Sequence, residues 1–278
     1  MQWNVPSLST ALTPLLGIIM GFAFLTSLVG DGFFKNANAV GAIAALVIID
    51  ALSSSAHREY ILVRTFTICA ACIVLFQSES RGALLLVISY VGIAHFKSLR
   101  RLSENRLAFF VLLLVVSSSP LFYELYSSYF NPIESVIILG KPLESGRQVI
   151  WHLMLEQFWV YPIFGHGSID PGYFLDQHYF GLSAHNLYLQ TAFQFGVVGL
   201  VLLMLIFIVQ HARLQGPLPA ASQGRAFLCA VLVYEMFEVS LTQNDFAFGI
   251  LIWALLARFE ALNETSPNMC HQRPFEVR

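Results

Sequence analysis

Residues 183–209 read SAHNLYLQTAFQFGVVGLVLLMLIFIV, and this stretch decides what kind of chain this is. From Leu187 it stays apolar, with no charged residue, for as long as the ~20 residues that carry a helix across a bilayer. It opens on a polar Ser-Ala-His-Asn step directly after the one long polar loop of the chain. The rest agrees with this reading. Of 278 residues, 56% are hydrophobic and 12% charged, where a soluble domain carries about a quarter charged residues. The composition therefore indicates an integral membrane protein. A net charge of −2 offers no basic footprint for nucleic acid.

Apolar segments of near-spanning length lie at 12–29, 37–52, 61–76, 83–96, 107–122, 187–210, 226–241 and 246–259. The expected fold is all-α: a polytopic membrane helix bundle of about eight spans, with residues 1–278 as one membrane domain. Basic residues set the orientation, since cytoplasmic loops are enriched in Lys and Arg. Lys97, Arg100, Arg101 and Arg106 cluster between the fourth and fifth segments. Counting from that loop places His57–Arg58, His211–Arg213 with Arg225, and Arg258 on the same side. Both termini, including a tail over 260–278, are then cytoplasmic, and residues 123–185 form a large outer loop. The start, MQWNVPSLSTALTP, lacks a basic leader pattern, so no cleavable signal peptide is expected. Gly17 and Gly21 form a GxxxG, a weak packing signal.

The outer loop holds one amphipathic helix, expected from about Gly146 to Val160. Ser145 and Gln148 have capping-box spacing, and Pro162 stops the helix. Ile150, Trp151, Met154, Leu155, Phe158 and Trp159 give it a broad apolar face, suited to the bilayer surface or the bundle. The loop is acidic, with Lys141 and Arg147 as its only bases, so a scarce arginine there invites a specific role. Arg147 falls in the first helical turn, where free N–H groups already attract anions and a guanidinium adds a forked charge suited to phosphate. A salt bridge to Glu144 or Glu156 is the plainer alternative. Arg81 stands at the outer end of the fourth segment, on the side that positive-inside bias depletes of arginine. Snorkelling to headgroups or pairing with Glu79 would also account for it.

His185 is expected in the first turn of the sixth span, where the positive helix end disfavours an imidazolium and leaves a ring able to accept a proton. Asn186 beside it can cap the helix, orient the ring or hold a hydroxyl. Glu235 and Glu238, three residues apart in the seventh segment, are expected on one helix face. Acids inside a span default to a functional role, here pairing with Arg81 or Arg147 or binding sugar hydroxyls. Metal is not expected. His152, His166, His178, His185, Asp170 and Asp176 supply ligand types, but no HExxH or cysteine set organises them. Cys69 and Cys72 make a CxxC inside an apolar run and read as core residues. No cofactor motif is present: GxSxG, Walker and GxGxxG patterns are all missing.

Three segments in order, SRGALLLVISY, ESGRQVIWHLMLEQFWVYPIFGHGS and SAHNLYLQTAFQFGVVGL, resemble the bacterial O-antigen ligase and polysaccharide polymerase superfamily. The shared pattern is an Arg-Gly at an outer helix end, a Gly-Arg-x-x-x-Trp in the outer loop, a Gly-x-Gly, then His-Asn before a Gly-x-x-Gly helix. The resemblance covers roughly residues 60–210. It implies a metal-independent, inverting glycosyltransferase of the bacterial inner membrane, with no cofactor and with its active face and the 123–185 loop periplasmic. Its donor would be an undecaprenyl-diphosphate-linked glycan; its acceptor, another glycan or lipid A core, with the lipid bilayer as its surroundings. By position, His185 would deprotonate the acceptor hydroxyl, Arg81 and Arg147 would bind the donor diphosphate, and Asn186, Trp151, Glu235 and Glu238 would support them. Members of the superfamily commonly have about ten to fourteen spans, more than the eight expected here. Two other readings are a transporter of lipid-linked or anionic substrate, and a truncated, inactive glycan-binding relative.

Overall fold

A computed structural model describes residues 37–53, 61–130, 137–138, 141–142, 147–169, 184–242 and 246–265. The fold is all-α. The helices are α1 (Ala37–Ser53), α2 (Ile61–Gln77), α3 (Arg81–His95), α4 (Lys97–Glu104), α5 (Arg106–Ser117), α6 (Ser119–Phe130), α7 (Arg147–Val160), α8 (Leu187–Arg213), α9 (Pro219–Tyr234) and α10 (Phe246–Thr265). A two-residue antiparallel ladder pairs Ile137 with Pro142 and Ile138 with Lys141. The 12–29 segment with its GxxxG, His57–Arg58, Ser145, Asp170, Asp176, His178 and most of the 260–278 tail lie outside the described residues.

A helix that is apolar on every side belongs in the interior, and α1 is such a helix. Its residues Ala42 to Ile49 are each at most 7% exposed. It packs against α2, α3, α9 and α10. The second central helix is α9, whose buried run from Gly224 to Leu232 lies against α3 and α10. Asp50 of α1 and Arg258 of α10 form an ion pair inside this core. Around it α2, α5 and α8 turn apolar side chains outward: Leu62, Phe66 and Leu107 are each at least 71% exposed. Water does not tolerate so broad an apolar surface on a monomer, but hydrocarbon does.

Among the described residues α8 is the one helix long and apolar enough to cross a membrane. Two further spans qualify as bent pairs, α3 with α4 at 92° and α5 with the start of α6 at 51°; α1 and α2 are apolar but shorter. Two expected segments are corrected. The 107–122 segment breaks at Ser118: Pro120 has no amide to donate to the Val116 carbonyl, and the Ser117 and Ser118 hydroxyls both donate to the Leu114 carbonyl. The 226–241 segment begins earlier and ends earlier, as α9. Pro219 starts this helix with a φ already suited to helix.

The sixth segment carries the most consequential break. Gly196, inside α8, has φ +66° and ψ −161°, a conformation closed to other residues. In a regular helix the Val197 and Val198 amides would donate to Phe193 and Gln194. Here they donate instead to Pro162 (2.8 Å) and Ile163 (3.2 Å), while the released carbonyls of Phe193 and Gln194 accept from His166 (2.9 Å) and Gly167 (2.8 Å). Four backbone groups are thus exchanged with the 162–167 turn, and none is orphaned in apolar surroundings. A Cβ at Gly196 would lie 2.2 Å from the Ile163 carbonyl oxygen.

Gly196→Ala is therefore expected to destabilise the fold by the ~1–3 kcal/mol of a strained backbone or more, read as a lower melting temperature in detergent. Gly92→Ala, whose added methyl meets its nearest atom at 3.7 Å, serves as the control. Equal melting temperatures for the two variants would refute the exchange.

Candidate functional site

The site is assembled by local chain chemistry at four helix ends. Ser80 caps α3 by accepting from the Ala83 amide, which makes Arg81 the first helical residue. Gly82 follows because the backbone passes close to its neighbours: a Cβ there would stand 3.2 Å from the Tyr234 ring and 3.4 Å from Glu238 Cγ. Arg147 opens α7 as expected. Ile150, Trp151, Met154 and Leu155 of that helix are buried against Ala184, Leu189 and Phe193, so α7 lies on α8. Trp159, expected on the same apolar face, is 66% exposed.

His185 corrects the expectation that it occupies the first turn of α8. Asn186 is the N-cap, with its Oδ1 accepting from the Leu189 amide, so His185 precedes the helix. Its φ is +47°, an uncommon conformation for a non-glycine residue. The surrounding bonds hold it there. On one side Trp151 Nε1 donates to the Ala184 carbonyl at 2.6 Å, and the Ala184 amide donates to Gln190. On the other, Asn186 Nδ2 donates to the Met236 carbonyl at 2.9 Å and the Leu187 amide to the Glu235 carbonyl at 2.9 Å. Asn186 is fully buried.

The two acids separate, contrary to the expectation of a shared helix face. Because α9 stops at Tyr234, Glu235 is its C-cap and Glu238 lies beyond it. Glu235 points inward, fully buried, and accepts from the Ser240 amide at 3.0 Å. Glu238 turns to the site and gathers three partners. His185 Nδ1 lies 3.1 Å from its Oε2, while Arg147 Nη2 and Asn38 Nδ2 each lie 3.5 Å from its Oε1. Facing an ionised carboxylate, which only accepts, a neutral ring would carry its proton on Nδ1 and leave its lone pair at Nε2.

Arg147 is mostly enclosed, and burial lowers the proton affinity of its guanidinium; Glu238 opposes this, while the nearby charge of Arg81 adds to it. Two guanidinium groups are thus held within electrostatic reach of each other, one of them paired with Glu238. Asn38, at the start of α1, escaped the reading of the sequence. Its only signal was a polar residue at the outer end of an apolar segment. His166 is structural, stacked on Phe193 with centroids 4.9 Å apart. Among the described residues no cluster of three metal-ligand side chains occurs.

Beside the site, His152 of α7 pairs with Glu124 of α6 at 2.7 Å and with Glu156 at 3.3 Å. The Glu124 hydrogen bond raises its pKa above the ordinary 6.5, against a smaller opposing effect of desolvation. A raised histidine stabilises the fold fully below the unfolded value and loses that contribution as pH rises through the folded one. The melting temperature of the wild type minus that of His152→Gln should be positive at acidic pH and shrink towards alkaline pH. A difference that does not change with pH would rule out the clamp.

Residues 65–204, about half of the chain, match the O-antigen ligase family. The matched stretch contains Arg81, Arg147, Trp151, His185, Asn186 and Gly196, but neither Asn38 nor Glu238. No curated protein and no solved structure matches the chain.

Proposed function

The chain belongs to the O-antigen ligase family, and from that premise we propose that it is a membrane glycosyltransferase whose site lies on the periplasmic face of the bacterial inner membrane. It transfers a glycan from undecaprenyl diphosphate to a hydroxyl of an acceptor glycan or lipid A core, without metal and with inversion. The observation that carries this reading is the convergence of His185 and Arg147 on Glu238, within electrostatic reach of Arg81.

In the proposed step Nε2 of His185 takes the proton of the acceptor hydroxyl. The acceptor oxygen attacks the anomeric carbon. The bond from that carbon to the donor diphosphate breaks, and its electron pair leaves on the diphosphate oxygen. Glu238 fixes the tautomer and stabilises the imidazolium as it forms. The guanidinium groups of Arg81 and Arg147 face the charge that grows on the leaving diphosphate, where preplaced donors contribute most. The exposed apolar belt over α2, α5 and α8 fits a polytopic chain in a bilayer, and an eight-span topology remains part of this proposal. A transporter built on a broken helix needs open backbone groups to coordinate its cargo. At Gly196 those groups are already taken by the 162–167 turn.

Purified chain in liposomes, supplied with synthetic undecaprenyl-diphosphate glycan and acceptor, tests the reading. His185→Ala should lose the ~10²–10⁴-fold that a positioned base contributes, with unchanged abundance and helicity. Glu238→Gln should lower kcat more than it raises KM. Arg147→Lys should be strongly impaired, since an ammonium lacks the fork, and EDTA should have no effect. Transfer that survives both His185→Ala and Arg147→Lys would sink the assignment. No transfer by well-folded wild type would favour an inactive relative.

A further inference from the structure

We propose that α4 is an interfacial helix that binds anionic phospholipid headgroups at the end of α3 opposite the candidate site. The inference rests on the membrane reading above but not on glycan transfer. Arg81 begins α3 and His95 ends it, about 21 Å away at 1.5 Å per residue. The chain then turns by 92° into α4. With α3 along the bilayer normal, α4 therefore lies in the plane of the interface, where amphipathic helices bind.

The sequence of α4, KSLRRLSE, separates by face. Lys97, Arg100 and Arg101 share one side by i,i+3 and i,i+4 spacing; Leu99 and Leu102 share another. The apolar side is not covered by protein: Phe96 is 67% exposed, Leu99 42% and Leu102 55%, and Leu107 on the following helix is 71% exposed. The single acid, 40% exposed, is paired with the bundle rather than with the bases of α4. Glu104 accepts from Ser222 Oγ at 3.2 Å and from Arg225 Nη2 at 3.5 Å. His211 fixes the same turn, its Nε2 lying 2.8 Å from the Ser103 carbonyl oxygen and its ring stacked on Phe109 at 4.0 Å.

These bonds orient α4 with its acid turned to the bundle and its bases outward. Lys97, Arg100, Arg101 and Arg106 are all exposed, and among the described residues none has a carboxylate within ion-pair distance. A soluble acidic partner would meet the bases but leave Phe96, Leu99 and Leu102 in water. A bilayer surface rich in anionic lipid satisfies both sides of the helix at once.

The test uses the full chain, reconstituted in phosphatidylcholine with a minor fraction of phosphatidylglycerol. It is then extracted gently, and the lipid retained per chain is measured. Wild type should retain phosphatidylglycerol severalfold above its bulk fraction, and rising salt should reduce that enrichment. The triple variant Lys97→Gln, Arg100→Gln and Arg101→Gln should lose most of it. Equal enrichment in wild type and variant overturns the proposal. If the variant does not fold, the wild-type salt series decides: enrichment indifferent to salt overturns it. No enrichment in wild type also overturns it. A chain inactive in transfer that still enriches phosphatidylglycerol would defeat the proposed function and leave this inference standing.

Discussion

A backbone amide in apolar surroundings must find a carbonyl, and at Gly196 that requirement organises the face of the molecule that carries the candidate site. The amides of Val197 and Val198 leave their own helix for Pro162 and Ile163, and the 162–167 turn returns two amides to the vacated carbonyls. The exchange fastens the C-terminal end of α7 to α8. At its other end, Arg147 reaches Glu238. Between them Trp151 donates to the Ala184 carbonyl. Helix α7 is thus anchored along its full length, and His185 inherits a position set by several elements at once. A left-handed histidine persists only where its surroundings over-determine it. The Trp151 and Asn186 bonds that flank it supply that constraint.

How far the sequence foretold this depends on which physical signal each feature leaves. Hydrophobic runs of near-spanning length marked the helices well, because apolar composition is local. Arg147 at the head of α7 was legible for the same reason, since a capping pattern before it and Pro162 after it bracket the helix. The break in α8 was not legible. Gly196 and Gly199 read as an ordinary Gly-x-x-Gly helix, and only the partner turn, more than 25 residues earlier in the chain, reveals why one of them needs φ +66°. The separation of Glu235 from Glu238 was hidden likewise. Nothing in AVLVYEMFEVS announces that the helix ends at Tyr234. The end is held by a tertiary bond from the Leu187 amide to the Glu235 carbonyl, with the Ser240 amide closing locally on the Glu235 carboxylate. Asn38 becomes part of the site only when α1 comes to lie beside Glu238.

Asp50 and Glu238 both face an arginine, and their surroundings separate a structural role from a proposed chemical one. Asp50 and Arg258 close on each other in the core, 2% and 9% exposed. Such a pair repays its desolvation poorly compared with apolar packing, yet losing one partner strands a buried charge. It therefore pins α1 to α10 and offers nothing to an outside molecule. Glu238 is arranged differently. Its charge is divided between a guanidinium, an amide and an imidazole. Those groups arrive from α7, α1 and the turn before α8, so the carboxylate joins elements that sequence keeps apart. The His185 side chain is 33% exposed, where both core partners are almost closed to water. A carboxylate that holds a histidine and an arginine at a partly open edge can orient the one and moderate the other. An anion that enters beside Arg147 would compete for the guanidinium and leave Glu238 more fully to His185. In the proposed transfer, that would couple donor binding to the histidine through a single carboxylate.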